Sequence, residues 1–275
     1  AGFTDTESIV TSKNTYVAPF VNAEEAQYLV IENAFPNGRP ALENAGVMFT
    51  SRETVEKVER MKVCTCLNPL HTALAVYGCL LGYTKISDEM KDADLVKLVE
   101  IIGYKEGLPV VTDPGILSPK KFIDEVLQIR VPNPFMPDTP QRIACDTSQK
   151  LSIRFGETIK EYMASSELDV KSLKFIPMVQ AGWCRYLLGV DDELNAFTVS
   201  PDPMYEELAG KLAGVKVGES CDVHAVLSPI LSDAKIFGVN LYEAGLGEYV
   251  ESIFAELIAG KGAVRETLKR HLAEA

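Results

Sequence analysis

The sequence predicts a mainly α-helical domain preceded by a small strand-bearing segment, and three observations carry that reading. From about residue 51, segment after segment shows apolar side chains at helical spacing, separated by turns such as Val131-Pro-Asn-Pro134 and Ser200-Pro-Asp-Pro203. Before that point the pattern changes to short extended runs at 15–20, 28–31 and 47–49. A chain of 275 residues, 47% hydrophobic and 24% charged, is long enough for a sizeable core and ordinary enough to exclude disorder or a fibrous architecture.

The three extended runs are too little sheet to stand alone, because short strands need a second layer to bury against. Residues 1–50 are therefore expected to complete something other than the helical part, and 51–275 to form the helical domain. The first helix is expected over 51–61, opened by a Ser or Thr cap. A second begins at Asn68, with Pro69 in the first helical position, where a missing N–H costs nothing, and fades at Gly82. Further helices are expected over 94–104, 119–128, 140–165, 173–188, 204–212, 221–227, 247–259 and 263–271.

A formal net charge of −12 with no offsetting basic tract argues against nucleic acid or an anionic membrane surface as partner. The most apolar stretch, 64–83, is interrupted by Asn68, Pro69, His71 and Thr72 and reads as a buried helix rather than a membrane span. Six cysteines lie scattered in apolar surroundings, which fits reduced core thiols and a cytoplasmic setting. The pair Cys64 and Cys66 has no second pair, and the histidines at 71, 224 and 271 are far apart, so no metal is expected. The sequence contains no G-x-G-x-x-G; the stretch Glu243-Ala-Gly-Leu-Gly247 opens a helix without a preceding strand and reads as structural.

Chemistry concentrates in Lys62-Val-Cys-Thr-Cys-Leu-Asn68-Pro-Leu-His71. A lysine partly withdrawn from water is available as a base at cellular pH; an amide at Asn68 can donate to a developing alkoxide; an imidazole at His71 can steer a hydroxyl or carboxylate. Each residue also has a plain structural reading: Asn68 as a helix cap, His71 as a hydrogen-bonded core histidine, Lys62 as a solvent-facing charge at a helix end. Downstream, Arg142 and Lys150 fall on one predicted helix about 80° apart around its axis, so both can border one cleft. A guanidinium there suits a sugar-acid carboxylate, although Asp138 or Asp146 could equally pair with Arg142.

The string Gly38-Arg-Pro-Ala-Leu-Glu43, Lys62, Asn68-Pro-Leu-His71, Arg130-Val-Pro-Asn-Pro134, Asp138-Thr139, Arg142-Ile-Ala-Cys-Asp146, Ser148-Gln-Lys150, Trp183-Cys-Arg-Tyr186 and Gly189-Val-Asp-Asp192 together resemble the mannitol dehydrogenase family of polyol-specific long-chain dehydrogenases, most closely its mannonate–fructuronate oxidoreductase branch. The resemblance implies a C-terminal helical substrate domain, preceded over 1–50 by an α/β remnant of a Rossmann-type NAD-binding domain whose fingerprint would lie before Ala1. It implies metal-independent hydride transfer between NAD and D-mannonate or D-fructuronate, or a mannitol/fructose or tagaturonate pair as the alternative. It further implies Lys62, Asn68 and His71 as catalytic residues and Arg142 and Lys150 as substrate-binding cations. In the family pattern the lysine precedes the asparagine as K-x4-N-x2-H; Lys62 lies one residue further away, and a helix break at Pro69 is expected to absorb the difference. A noncatalytic helical interaction domain is the reading that remains if these residues do not converge.

Overall fold

The computed structural model describes residues 29–136 and 138–275, together with the backbone of two short strands, β1 (Ile9–Val10) and β2 (Tyr16–Val17). These pair antiparallel, with Ile9 opposite Val17. A second pair, β3 (Val30–Glu32) and β4 (Met48–Thr50), is parallel, with Val30 beside Met48. The expected runs at 15–20 and 28–31 overlap β2 and β3, and residues 15, 18–20 and 28 lie outside the described residues. Arg39 staples the β3–β4 crossover: its Nε donates to Asn33 Oδ1 at 3.1 Å, its Nη1 pairs with Glu43 at 2.5 Å, and its guanidinium lies 3.4 Å from the Phe49 ring centroid.

From Arg52 the chain is helical. It forms α1 (Arg52–Met61), α2 (Asn68–Leu80), α3 (Ile86–Glu89), α4 (Ala93–Glu100), α5 (Pro119–Glu125), α6 (Pro140–Ile143) and α7 (Glu157–Ala164). There follow α8 (Phe175–Tyr186), α9 (Tyr205–Leu212), α10 (Val223–Leu231), α11 (Ala234–Phe237), α12 (Gly247–Leu257) and α13 (Ala263–Ala273). Ser51 caps α1 as expected, its hydroxyl accepting the Thr54 N–H at 3.3 Å. Every residue of α8 is buried, and so is every residue of α2 except Asn68. Helices buried on all faces must be enclosed, so these two form the centre, packed on each other, with α12 against α8. Arg52–Leu80 is long and apolar enough to cross a bilayer, but 83% of its most apolar window is buried inside the fold.

Glu106 fixes the start of α8. Its carboxylate accepts the N–H groups of Lys174, Phe175 and Ile176 at 2.6–2.7 Å, satisfying donors that a helix N-terminus leaves open. Arg185, fully buried on the same helix, donates to the carbonyls of Leu257, Val190 and Asp191 and so ties α8 to α12 and to the turn that follows it.

Two expected helices, 94–104 and 119–128, end earlier than their hydrophobic period suggests, because each passes into a wider π-turn: Ile101–Gly107 after α4 and Val126–Arg130 after α5. The helix α1 ends at Met61, where it was expected to, and a third π-turn, Lys62–Cys66, follows it. The expected single helix over 140–165 is four pieces: α6, a 3₁₀ turn at Thr147–Gln149, a π-turn at Ser152–Gly156, and α7. Arg142 and Lys150 therefore do not share one helix. Tertiary bonds override the period here. Asp146 adopts a left-handed φ of 53° and its N–H donates to Pro201 O at 2.9 Å, while Asp202 holds both the N–H and the hydroxyl of Ser148 at 2.8 and 2.5 Å. Gly156 permits the last π-turn to touch α11: a Cβ at this position would stand 2.2 Å from the Phe237 carbonyl oxygen. The four-residue helices α3 and α11 are too short to display a period and were not signalled by the sequence.

Candidate active site

The segment that carries the chemistry is the join between α1 and α2. The Leu67 N–H donates to the Lys62 carbonyl at 3.1 Å and closes the π-turn, and Leu67 then bends the chain at φ −131°, ψ −62°. The helix break expected at Pro69 thus falls earlier, at Leu67, and Pro69 sits in the first turn of α2, where its missing N–H leaves no bond unmade.

Asn68 is not the cap the local sequence suggests. Leu67 occupies the capping position, with no side-chain cap bond, and the Asn68 carbonyl accepts the Thr72 hydroxyl at 2.8 Å. Among the described residues the Asn68 side-chain amide has no protein partner, which leaves it free for a ligand. His71 is 8% exposed, and its Nε2 is buried without a hydrogen-bond partner among the described residues. Burial pushes its imidazole down to about 4; Asp138 opposes this, while Arg130, Arg154 and Arg142 add to it. His71 is therefore neutral near pH 7, and its ring is not the satisfied core histidine of the plain reading.

Asn68 and His71 open onto a cleft of about 620 Å³ that Arg130, Asp138, Arg142 and Ile143 also line. Arg142, three-fifths exposed, forms an ion pair with Asp138, one of the two partners weighed from sequence. Lys150 and Lys62 are not among the lining residues. The Lys150 ammonium donates to the carbonyls of Ile143, at 3.4 Å, and Cys145, and burial, followed by the nearby Arg154, pushes its pKa down. Lys62 is about one-quarter exposed, and its Nζ pairs with Glu59 at 2.7 Å. The structure thus brings Asn68, His71 and Arg142 to one cleft, sets Lys150 against its Ile143 edge, and leaves Lys62 on the preceding turn, engaged by a carboxylate.

Residues 54–254 match the family description "Mannitol dehydrogenase C-terminal domain". The chain belongs to the mannitol dehydrogenase family. This mannitol dehydrogenase-family chain is 61% identical over 272 residues to D-mannonate oxidoreductase of Thermotoga maritima, covering 98% of this chain and 50% of that protein. It is 31% identical over 241 residues to mannitol 2-dehydrogenase of Aspergillus niger, covering 85% of this chain and 47% of that protein. Its fold matches the structure of Pseudomonas fluorescens mannitol 2-dehydrogenase, a ternary complex with NAD and D-mannitol. The TM-score is 0.75 at 24% identity, over 98% of this chain and 54% of that one. The chain spans about half the length of the curated relatives it matches.

Beside the cleft of this mannitol dehydrogenase-family chain, sequence reasoning did not name the bonded pair Arg154 and Thr72. Arg154 Nη1 donates to Thr72 Oγ1 at 2.6 Å, and Thr72 passes the bond on to the Asn68 carbonyl. The signal was present in the spacing, since Arg154 follows Lys150 by one helical turn. The donors around the cleft suit a small polyhydroxylated or carboxylated molecule. A dinucleotide's pyrophosphate does not fit them: among the described residues no strand, glycine-rich turn and helix combine into a phosphate cradle. Nor, among the described residues, do three His, Cys, Asp or Glu side chains converge as metal donors.

Proposed function

We propose that the protein carrying this chain is an oxidoreductase that interconverts D-mannonate and D-fructuronate with NAD(H), and that residues 51–275 supply its substrate-binding and proton-transfer groups. The observation that carries this reading is the 61% identity to a D-mannonate oxidoreductase over nearly the whole chain. The cleft supports it by offering an unengaged amide, a neutral imidazole and guanidinium groups to one small molecule. Residues 1–50 belong, in this reading, to the edge of the nucleotide-binding part.

NAD supplies the hydride acceptor when bound. The chain's own residues handle binding and the proton. Lys62, swung from Glu59 toward the cleft, takes the proton of the reacting hydroxyl. Asn68 donates its amide hydrogens to the oxygen as negative charge develops there, where a pre-positioned donor is worth more than in water. Neutral His71 hydrogen-bonds a substrate hydroxyl through the Nε2 that lacks a protein partner. Arg142 and Lys150 border the distal hydroxyls and carboxylate. In the reductive direction Lys62 returns the proton. A reducing, cytoplasmic setting goes with this reading, since the six cysteines are unbridged thiols.

Turnover of D-mannonate, D-mannitol and D-tagaturonate by the full-length protein tests the proposal. D-mannonate oxidation with NAD, reversed with D-fructuronate and NADH, is expected to show the highest kcat/KM. Preferred turnover of D-mannitol, the substrate in the name of the Aspergillus relative, or of D-tagaturonate would replace the substrate assignment with that alternative.

A further inference from the structure

The cations beside the cleft are not equally committed. Arg142 already holds a carboxylate, that of Asp138, tethered one turn away in the chain. Arg154 and Lys150 hold none: among the described residues neither makes an ion pair, and their hydrogen bonds go to uncharged oxygens, those of the Thr72 hydroxyl and the Ile143 and Cys145 carbonyls. The two are also joined through the backbone, the Arg154 N–H donating to the Lys150 carbonyl at 2.9 Å. Side chains at that spacing project on one face of a turn and repel when both are positive.

Both groups are partly withdrawn from water. Burial pushes Arg154 down to about 10, and burial followed by the charge of Arg154 pushes Lys150 down. Asp146 and Asp202 act on Lys150 through space without reaching it as ion pairs, and Asp202 is occupied by Ser148. Two half-buried like charges without a counter-ion are an unfavourable arrangement that a bridging anion relieves. Neither side chain lines the cleft, and both lie next to residues at its wall: Lys150 donates to the carbonyl of Ile143, which lines the cleft, and Arg154 to the hydroxyl of Thr72, the neighbour of His71.

We propose that Arg154, with Lys150 beside it, is the seat of the substrate's carboxylate, leaving Arg142 to its pair with Asp138 and to substrate hydroxyls. The inference rests on the sugar-acid reading above and adds which cation enforces it. A guanidinium fork matches a carboxylate's two oxygens, and an ammonium alongside adds a point charge. Seating the anion leaves the Arg154–Thr72–Asn68 chain of bonds in place, so the carboxylate is held by the same group that steadies the turn bearing Asn68 and His71.

The test compares D-mannonate with its neutral isostere D-mannonamide in the full-length enzyme, for wild type, Arg154→Gln, Arg154→Lys and Arg142→Gln. The preference of wild type for the acid is expected to collapse in Arg154→Gln by on the order of 10- to 100-fold, mainly through KM for D-mannonate. Arg154→Lys, which keeps the charge but loses the fork, is expected to fall between, and serves if the glutamine variant folds poorly. Arg142→Gln is expected to weaken acid and amide alike. Equal losses on both substrates in the Arg154 variants, or an acid-selective loss in Arg142→Gln instead, overturn the carboxylate seat while leaving the substrate reading intact. A wild-type enzyme that does not oxidise D-mannonate overturns the substrate reading itself, and the seat with it.

Discussion

The backbone N–H of Leu67 reaches back to the carbonyl of Lys62 at 3.1 Å, one residue further than an α-helical bond would. That bond widens the turn between Lys62 and Asn68, and the chain leaves helical geometry at Leu67 before resuming it in α2. It lies within the stretch where the sequence departs by one residue from the resembled lysine–asparagine spacing, and it precedes the one unburied residue of α2, Asn68, at the mouth of an otherwise buried helix. The irregularity and the candidate chemistry coincide.

Asn68 is free of capping duty, so its removal separates function from stability. Asn68→Ala is expected to shift the unfolding free energy by less than ~0.5 kcal/mol, against the ~1 kcal/mol typical of a lost cap, while lowering kcat of the full-length enzyme by on the order of 100-fold. Chemical denaturation and steady-state kinetics on one preparation check both halves.

His71 makes stability depend on pH in a defined window. Its folded value of about 4 lies below the ordinary 6.5, so its contribution is fully present above pH 6.5 and is lost as pH falls through 4. The unfolded chain binds the proton first as acid is added. Wild type is expected to lose up to ~3 kcal/mol over that interval through this group, and His71→Asn to show a correspondingly flatter profile in urea denaturation.

Glu89 lies fully buried, and both its carboxyl oxygens lack hydrogen-bond partners among the described residues. Burial, followed by the charge of Asp92, pushes it up to about 9 from an ordinary 4.5. The sign is opposite to that of His71: the contribution is full below pH 4.5 and is lost as pH rises through 9. Glu89→Gln is expected to be more stable than wild type at pH 7 by up to ~3 kcal/mol and to show no such gain at pH 4. Thermal unfolding at the two pH values distinguishes the outcomes.

Gly78 faces that carboxyl so closely that a Cβ would stand 2.1 Å from Glu89 Oε1. Gly78→Ala is expected to destabilise by ~1–3 kcal/mol, and Glu89→Ala in the same chain to recover part of that loss, because the two side chains compete for one space. A double-mutant cycle measures the coupling.

Much of the helical domain was legible because a buried helix needs a run of apolar residues, and 68–80 and 173–188 supply one. The capping serine at 51 and the proline opening α2 were readable for the same local reasons. What sequence pattern missed was set by tertiary bonds. Asp202 and Pro201 reshape 140–165 from a distant part of the chain, and periodicity contains no trace of them. The cleft was legible in part: Asn68, His71 and Arg142 were named and share it. The freedom of the Asn68 amide depends on Leu67 taking the capping position, and the uncompensated charge of Arg154 depends on which carboxylates fold away from it. Neither follows from spacing alone.

Lys62 decides the central claim, because it stands on the π-turn paired with Glu59 and is asked to act in the cleft beyond it. Single-turnover hydride transfer from D-mannonate to NAD in full-length Lys62→Ala, with both ligands saturating, measures that step directly. The expected result is a rate lowered at least ~10³-fold with cofactor binding unchanged. Hydride transfer within a few-fold of wild type would contradict it.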